Sequence, residues 1–245
     1  MKNFVANILS TMSSCWIEHL QGHYNFPYKS HLTRLELGAA KFSFSENGED
    51  FAILRLVRKL ELGPGIYVDA GAFHPVCRSN TLLLHKSGWR GINIDLEESK
   101  IAEFRKCRPG DYNVVACLSD AVHEFQVAHY DDNVLDRVVT GHDESQLSLL
   151  GTEPKRLVKL RTTTLTRVIE QSPFSDEQIN YLNIDCEGHD FTVLRGLDLS
   201  RCRPRILSIE AFTEEQRRAI GDFLAPYDYR FDQLLTKTAI FVRMP

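Results

Sequence analysis

What the chain lacks narrows the reading before any motif is sought. No uninterrupted apolar run approaches the ~20 residues needed to span a bilayer, so no transmembrane segment is expected. The N-terminus makes a poor signal peptide, with one early lysine, no long apolar core and polar interruptions at Asn3, Asn7 and Ser10. None of the six cysteines, Cys15, Cys77, Cys107, Cys117, Cys186 and Cys202, forms a C-x-x-C pair. Their irregular spacing reads as small buried hydrophobes in a reducing compartment, and the cytoplasm is the expected location. There is no excess of basic charge either. A net charge of -4 and a pI of about 6.1 argue against nucleic acid as a partner. No internal repeat or low-complexity run appears.

What is present suits one α/β domain with an N-terminal extension. The 245 residues are enough to bury a real core, and the 43% hydrophobic and 25% charged shares are those of a soluble globular chain. Within residues 1–41, Phe4, Ile8, Met12 and Cys15 recur at helical spacing, followed by Trp16 and Leu20. Such a helix would pack on the domain, on a second copy in a homodimer, or on a membrane surface. The last is the weakest, because the polar face lacks a Lys/Arg cluster. Residues 42–245 form the main domain. Its first segment reads as a helix, with Ser45 as N-cap, acids Glu46, Glu49 and Asp50 near the first turn, and an apolar stripe of Phe51, Leu54, Val57 and Leu60. These acids either cap and solvate the helix or close the segment over a pocket.

The organising stretch is Gly65–Asp95. A short apolar run ends on Asp69, a small-residue turn Ala70-Gly71-Ala72 follows, then a leucine-rich helical segment, a break at Gly88, and a second strand ending on Asp95. This is a βαβ unit with an acid at the end of each strand. The pattern continues downstream. Asn113–Leu118 reads as a third strand leading to Ser119-Asp120, Ile179–Ile184 as one ending at Asp185, and Arg205–Ile209 as one ending at Glu210. Helices are expected over Glu97–Cys107 and Glu214–Leu224, and along the face marked by Phe191, Leu194 and Leu197. Between them, residues 121–160 stand apart as a candidate substrate-loop insertion. There His123–Tyr130 alternates like an extra strand, and Asp131–Pro154 is polar and long for a connection. Leu157–Leu165 reads as a strand leading into a short helix. Tyr227–Leu235 and Thr238–Met244 form a hairpin, hence an antiparallel pair.

A parallel sheet would bring the acids to one edge, where α/β proteins bind ligands. Asp95 lies 26 positions after Asp69, close to the spacing at which a carboxylate accepts both hydroxyls of a ribose. Ser119 or Asp120 would receive the amine of an adenine. The turn holds only Gly71 where a dinucleotide fingerprint needs three glycines, and Pro75 sits where close approach would be wanted. No G-x-x-x-x-G-K-[ST] loop exists, so ATP phosphates also lack a cradle. Asp69 would repel a pyrophosphate yet could face an ammonium. An adenosyl group without phosphates, S-adenosylmethionine, fits best. The candidate cofactor set is Asp69, Gly71, Ala72, Asn80, Asp95, Leu96, Ser119, Asp120 and Asp185.

The segments VDAGAFHPVCRSNTLLLHKSGWRGINIDLEE and INYLNIDCEGHDFTVLRGL, with SENGEDF upstream and RPRILSIEA downstream, resemble the FkbM family of S-adenosylmethionine-dependent methyltransferases. The resemblance spans roughly residues 42–212. It implies a Rossmann-like class I methyltransferase fold, a mostly parallel seven-strand sheet with an antiparallel last strand and helices on both faces. It also implies O-methylation of a hydroxyl on a sugar, nucleotide-sugar or glycan acceptor. Such a reaction needs a positioned acceptor and a base. The candidate bases are His189, Asp185 and Glu187 in D-C-E-G-H-D, and His74 across the pocket. Asp185, Glu187, His189 and Glu210 also suit Mg²⁺ or Mn²⁺; alternatively these acids bind sugar hydroxyls. A nicotinamide-dependent dehydrogenase and a catalytically inactive adenosyl-binding scaffold stand as rivals.

Overall fold

The computed structural model describes residues 39, 41–129, 137–139 and 156–244. The amphipathic pattern expected from Phe4 to Leu20 lies outside them, as does most of Asp131–Pro154. The chain divides into a first unit, Met1–Phe42, and a second, Ser43–Pro245, whose fold follows.

Seven strands form the main sheet. In chain order they are β1 (Ile66–Ala70), β2 (Arg90–Asp95), β3 (Tyr112–Val115), β8 (Ile179–Ile184), β9 (Ile206–Glu210), β10 (Tyr229–Leu235) and β11 (Thr238–Arg243). Spatially the order is β10-β11-β9-β8-β1-β2-β3. β1 pairs in parallel with β2 and β8, β2 with β3, and β8 with β9. β11 runs antiparallel to both of its neighbours, so the last strand alone is reversed. This is the expected α/β methyltransferase sheet.

Alternation along the strands sorts the two faces. Val68, Ala70, Ile92, Ile94, Leu182, Ile184, Leu207 and Ile209 share a core with α4 (Leu165–Gln171), α5 (Asp190–Arg195) and α6 (Glu214–Leu224). Tyr67, Tyr181, Ile206 and Ile240 point the other way. They pack on Ile53, Leu56 and Val57 of α1 (Glu49–Lys59) and on Leu84 of α2 (Leu82–Lys86). α3 (Glu98–Cys107) adds Ile101 and Phe104 against Ala72. Helices therefore cover both faces, as a largely parallel sheet requires.

Two expectations need correction. The run Asn113–Leu118 is not one strand. β3 stops at Val115, and Cys117–Leu118 form β4, which pairs with β7 (Arg156–Thr163) in a second sheet. Ala116 is the break, its N–H donating to the Asp95 carbonyl at 3.0 Å. The second sheet, ordered β4-β7-β5-β6, contains β5 (Glu124–His129) and β6 (Arg137–Val139), so the expected extra strand from His123 is real and has antiparallel partners on both sides. Ser45 does not hold the N-cap of α1. That place falls to Gly48 at φ 86. The segment folds instead around the buried Asp50 carboxylate, which accepts from the Phe44 and Phe51 N–H groups and the Ser43 and Ser45 hydroxyls.

Candidate active site

A polar row crosses the face that packs on α1–α3. Asn113, Asn93, Asp69, Asn183 and Ser208 lie side by side in register on β3, β2, β1, β8 and β9. Buried polar groups are costly unless bonded, and this row is knit together. Asn93 Nδ2 donates to Asn113 Oδ1 at 2.8 Å, Asn183 Nδ2 to Asp69 Oδ1 at 2.9 Å, and Ser208 Oγ to Asn183 Oδ1 at 2.7 Å. Asn80 and Thr81, at the start of α2, close on it from above, Asn80 Nδ2 reaching Asn183 Oδ1 at 3.1 Å and Thr81 Oγ1 reaching Asp69 Oδ2 at 2.7 Å. Burial pushes the Asp69 carboxyl above its usual range, against the pull of its hydrogen bonds from Thr81 and Asn183.

Arg108, at the C-terminal end of α3, is the cation of this layer and only 1% exposed. It donates to the Pro75 carbonyl at 2.5 Å, to Ser79 Oγ at 2.9 Å, to Thr81 Oγ1 at 2.8 Å and to the Tyr67 hydroxyl at 3.1 Å. The loop between β1 and α2 is thereby pinned to the sheet. Tyr67 in turn donates to Asp111, which also accepts from Asn93 Nδ2 and the Gly91 N–H.

Above the row, at the C-terminal ends of the strands, lies a cavity of about 280 Å³, close to the lower end of small-molecule sites. Its apolar lining includes Ala72, Phe73, Ile94, Leu96, Ala116 and Leu118. Its acids are Glu46, Glu49, Asp69, Asp95, Asp185 and Glu187, and its cations Arg78, Lys100 and Lys237. Of the three acids near the first turn of α1, Glu46 and Glu49 face the cavity, while Asp50 holds the turn itself. Glu49 is buried and accepts from the Asn47 N–H at 2.8 Å.

Most of the expected cofactor residues meet here: Asp69, Gly71, Ala72, Asn80, Asp95, Leu96 and Asp185 all line the cavity. Asp95 is buried at the end of β2. Its Oδ1 accepts from the Glu97 N–H at 2.9 Å and lies 3.6 Å from Lys100 Nζ. Gly71 has φ +81, and a Cβ there would come within 1.7 Å of the Asp185 carbonyl. Its small size therefore answers to the neighbouring strand end, not only to a ligand. The Gly71 and Ala72 N–H groups both bond the Ile94 carbonyl at 2.9 Å. Ser119 and Asp120 lie outside the lining. Ser119 Oγ is 3.3 Å from both Asp120 Oδ1 and His189 Nε2, and Asp120 pairs with Arg195 at 3.0 Å.

The candidate bases also line the cavity, in different settings. His74 Nδ1 accepts from the Val76 and Cys77 N–H groups, both at 3.0 Å, and burial lowers its pKa. That ring is held neutral with its proton on Nε2, a donor's arrangement. His189 is also lowered by burial. Asp185 follows β8 and is raised well above the carboxylate range, by burial first and then by Glu210, Asp190 and Glu187. Of the four expected metal ligands, Asp185 and Glu210 come together with Asp190, their ligand atoms within 4.8 Å of one another; Glu187 and His189 do not join this group. Asp190 already accepts from the Cys186 and Gly188 N–H groups, at 2.6 and 2.9 Å. Burial raises its pKa to about 7.

Two residues here escape the sequence reading. Arg108 looks like an ordinary basic residue at a helix end. Lys237 sits in a hairpin turn, yet its Nζ reaches Glu210 Oε1 at 2.5 Å. A usable signal did exist for Lys237. With the last strand reversed, the β10–β11 turn must fall at the edge where the parallel strands end.

A reversed last strand beside six co-directional strands, with a carboxylate-rich cavity over their C-terminal ends, is the arrangement of an α/β methyltransferase fold. The family model for the methyltransferase FkbM domain matches residues 69–235, and the chain belongs to that family. No curated protein and no solved structure gives a match. Membership in a methyltransferase family sets aside the dehydrogenase alternative. Among the described residues, no helix is long and apolar enough to cross a membrane.

Proposed function

We propose that the chain is an S-adenosylmethionine-dependent O-methyltransferase acting in the cytoplasm on a hydroxyl of a sugar, nucleotide-sugar or glycan. The observation that carries this reading is the pairing of two kinds of wall in one cavity. Around β1 and β2, Asp95, the apolar Ile94 and Leu96, and the Gly71 turn suit an adenosyl group, and no cradle for phosphates accompanies them. Around β8, Asp185 carries a raised pKa and no hydrogen bond to its side chain is found among the described residues. When bound, S-adenosylmethionine supplies an electrophilic methyl on its sulfonium. The residues that would hold it are Asp95 at the ribose, Leu96 and Phe73 at the base, and the Gly71-Ala72 turn with Asn80 at the methionine end. Asp185 suits the base role because burial and its acidic neighbours raise its pKa, and the ionised form of such a carboxyl is a stronger base than an ordinary carboxylate. Glu187 and His189 stand beside it for acceptor hydroxyls.

The test is calorimetric binding of S-adenosylmethionine and S-adenosylhomocysteine, followed by a labelled-methyl screen of sugars, nucleotide-sugars and glycans with and without chelator. Asp95→Ala should weaken cofactor binding by about 10–100-fold, the scale of a lost charge-assisted hydrogen-bond pair. Unchanged affinity would remove the ribose assignment. Normal binding with no transfer to any acceptor would favour the inactive scaffold.

A further inference from the structure

The hairpin that completes the sheet also delivers a cation to the acid cluster. Thr238, the first residue of β11, lies opposite Glu210, the last of β9. The turn before it is Thr236, at φ 51, and Lys237. The Lys237 carbonyl accepts from the Ala211 N–H at 2.8 Å, which fastens the tip to the end of β9. The side chain is 32% exposed and lies along the cavity wall. Its Nζ is 5.6 Å from the centre of the Phe212 ring, 2.5 Å from Glu210 Oε1 and 3.9 Å from Glu46 Oε2. The Glu210 side chain is only 1% exposed. Apart from this ion pair neither of its oxygens has a hydrogen-bond partner among the described residues.

Like charges crowded this closely, one of them the buried Glu210, are eased by a nearby positive charge. Asp190 has spent its oxygens on two backbone N–H groups, so Asp185 and Glu210 remain to be balanced. We propose that Lys237, paired with Glu210, is the resident cation of this end of the cavity, its ammonium filling the charge role that a divalent ion would otherwise fill in the Asp185–Asp190–Glu210 cluster. An acceptor hydroxyl is then met there by an N–H donor instead of a metal. That last clause rests on the methyltransferase reading; the occupancy of the cluster does not.

The experiment is a Mn²⁺ titration followed by electron paramagnetic resonance, on the full chain without methyl donor. Its variants are Lys237→Met, which keeps the stem against Phe212, Lys237→Arg, and the double variant Lys237→Met with Asp185→Asn. Lys237→Met should bind Mn²⁺ at least about tenfold more tightly than wild type. Lys237→Arg should behave as wild type, and the double variant should lose the gain. Wild type binding Mn²⁺ as tightly as Lys237→Met, or no gain in Lys237→Met, overturns the proposal. Failure of the methyltransferase reading shows separately, as absent S-adenosylmethionine binding, and leaves this result standing.

Discussion

Two polar layers lie one above the other on the same sheet face, and they are built on opposite terms. The lower is Asn93, Asp69, Asn183 and Ser208, with Arg108 and Thr81 closing on it. Two residues further along the same strands come Asp95, Gly71, Asp185 and Glu210. Below, each carboxylate oxygen of Asp69 has its own donor. Above, Asp185 has no bonded partner among the described residues and Glu210 has only Lys237, while β1 contributes no side chain at all because its position is Gly71. The lower layer spends its hydrogen bonds on the fold. The upper one has fewer bonds within the protein and faces the cavity, and Gly71 lets the end of β1 pack against the Asp185 carbonyl. Internally bonded groups and cavity-facing groups thus occupy adjacent levels of the same strands.

The contrast can be broken from either side. The largest effect should come from Arg108→Ala, which removes the buried cation that bonds Thr81 and Tyr67, the partners of the Asp69 and Asp111 carboxylates. A loss of about 3–5 kcal/mol is expected in denaturant unfolding. A loss under about 1 kcal/mol would mean the lower layer does not hold the fold. Next is Gly71→Ala, where the new methyl meets the Asp185 carbonyl in a backbone conformation that alanine resists. About 2–3 kcal/mol should be lost, together with cofactor affinity in calorimetry. The smallest change belongs to Asp185→Asn, within about 1 kcal/mol of wild type at pH 7 or above it. Its folded pKa is raised above the ordinary 3.8. The contribution of Asp185 is therefore fully present below that value and is lost as pH rises through the folded pKa. Thermal melts from pH 4 to 8 should show a flatter decline in the variant. A slope identical to wild type would place the titration elsewhere. His74, His85 and His189, all lowered, act with the opposite sign, costing stability as pH falls below about 6.5.

Much of this was legible in the residues. Short apolar runs ending on acids gave the strands and their direction, and Asp95 and Gly71 fall where a strand end meets a turn. Local pattern could not show that Val115 and Cys117 belong to different sheets, because the run is continuously apolar and the change of partner is decided by β7, whose Thr162 pairs with Cys117 from 45 residues away in sequence. Nor could it distinguish Arg108 from a solvated helix-end arginine, since its burial depends on the Pro75–Thr81 loop folding over it. Ser119 and Asp120 follow the short β4, which is displaced from the main sheet, and so they sit apart from the other strand ends.

The Gly71–Asp185 contact has a consequence for how the molecule comes into being. Together with the Asp69–Asn183 hydrogen bond, it closes a span of 114 residues. Contacts of such long range form late, after local helices and hairpins. During synthesis the βαβ unit that carries Asp95 emerges early, yet its turn has nothing to rest on until β8 arrives. The cavity therefore waits on β8, and a nascent or truncated chain ending before Ile179 would carry most of the cofactor motif without it.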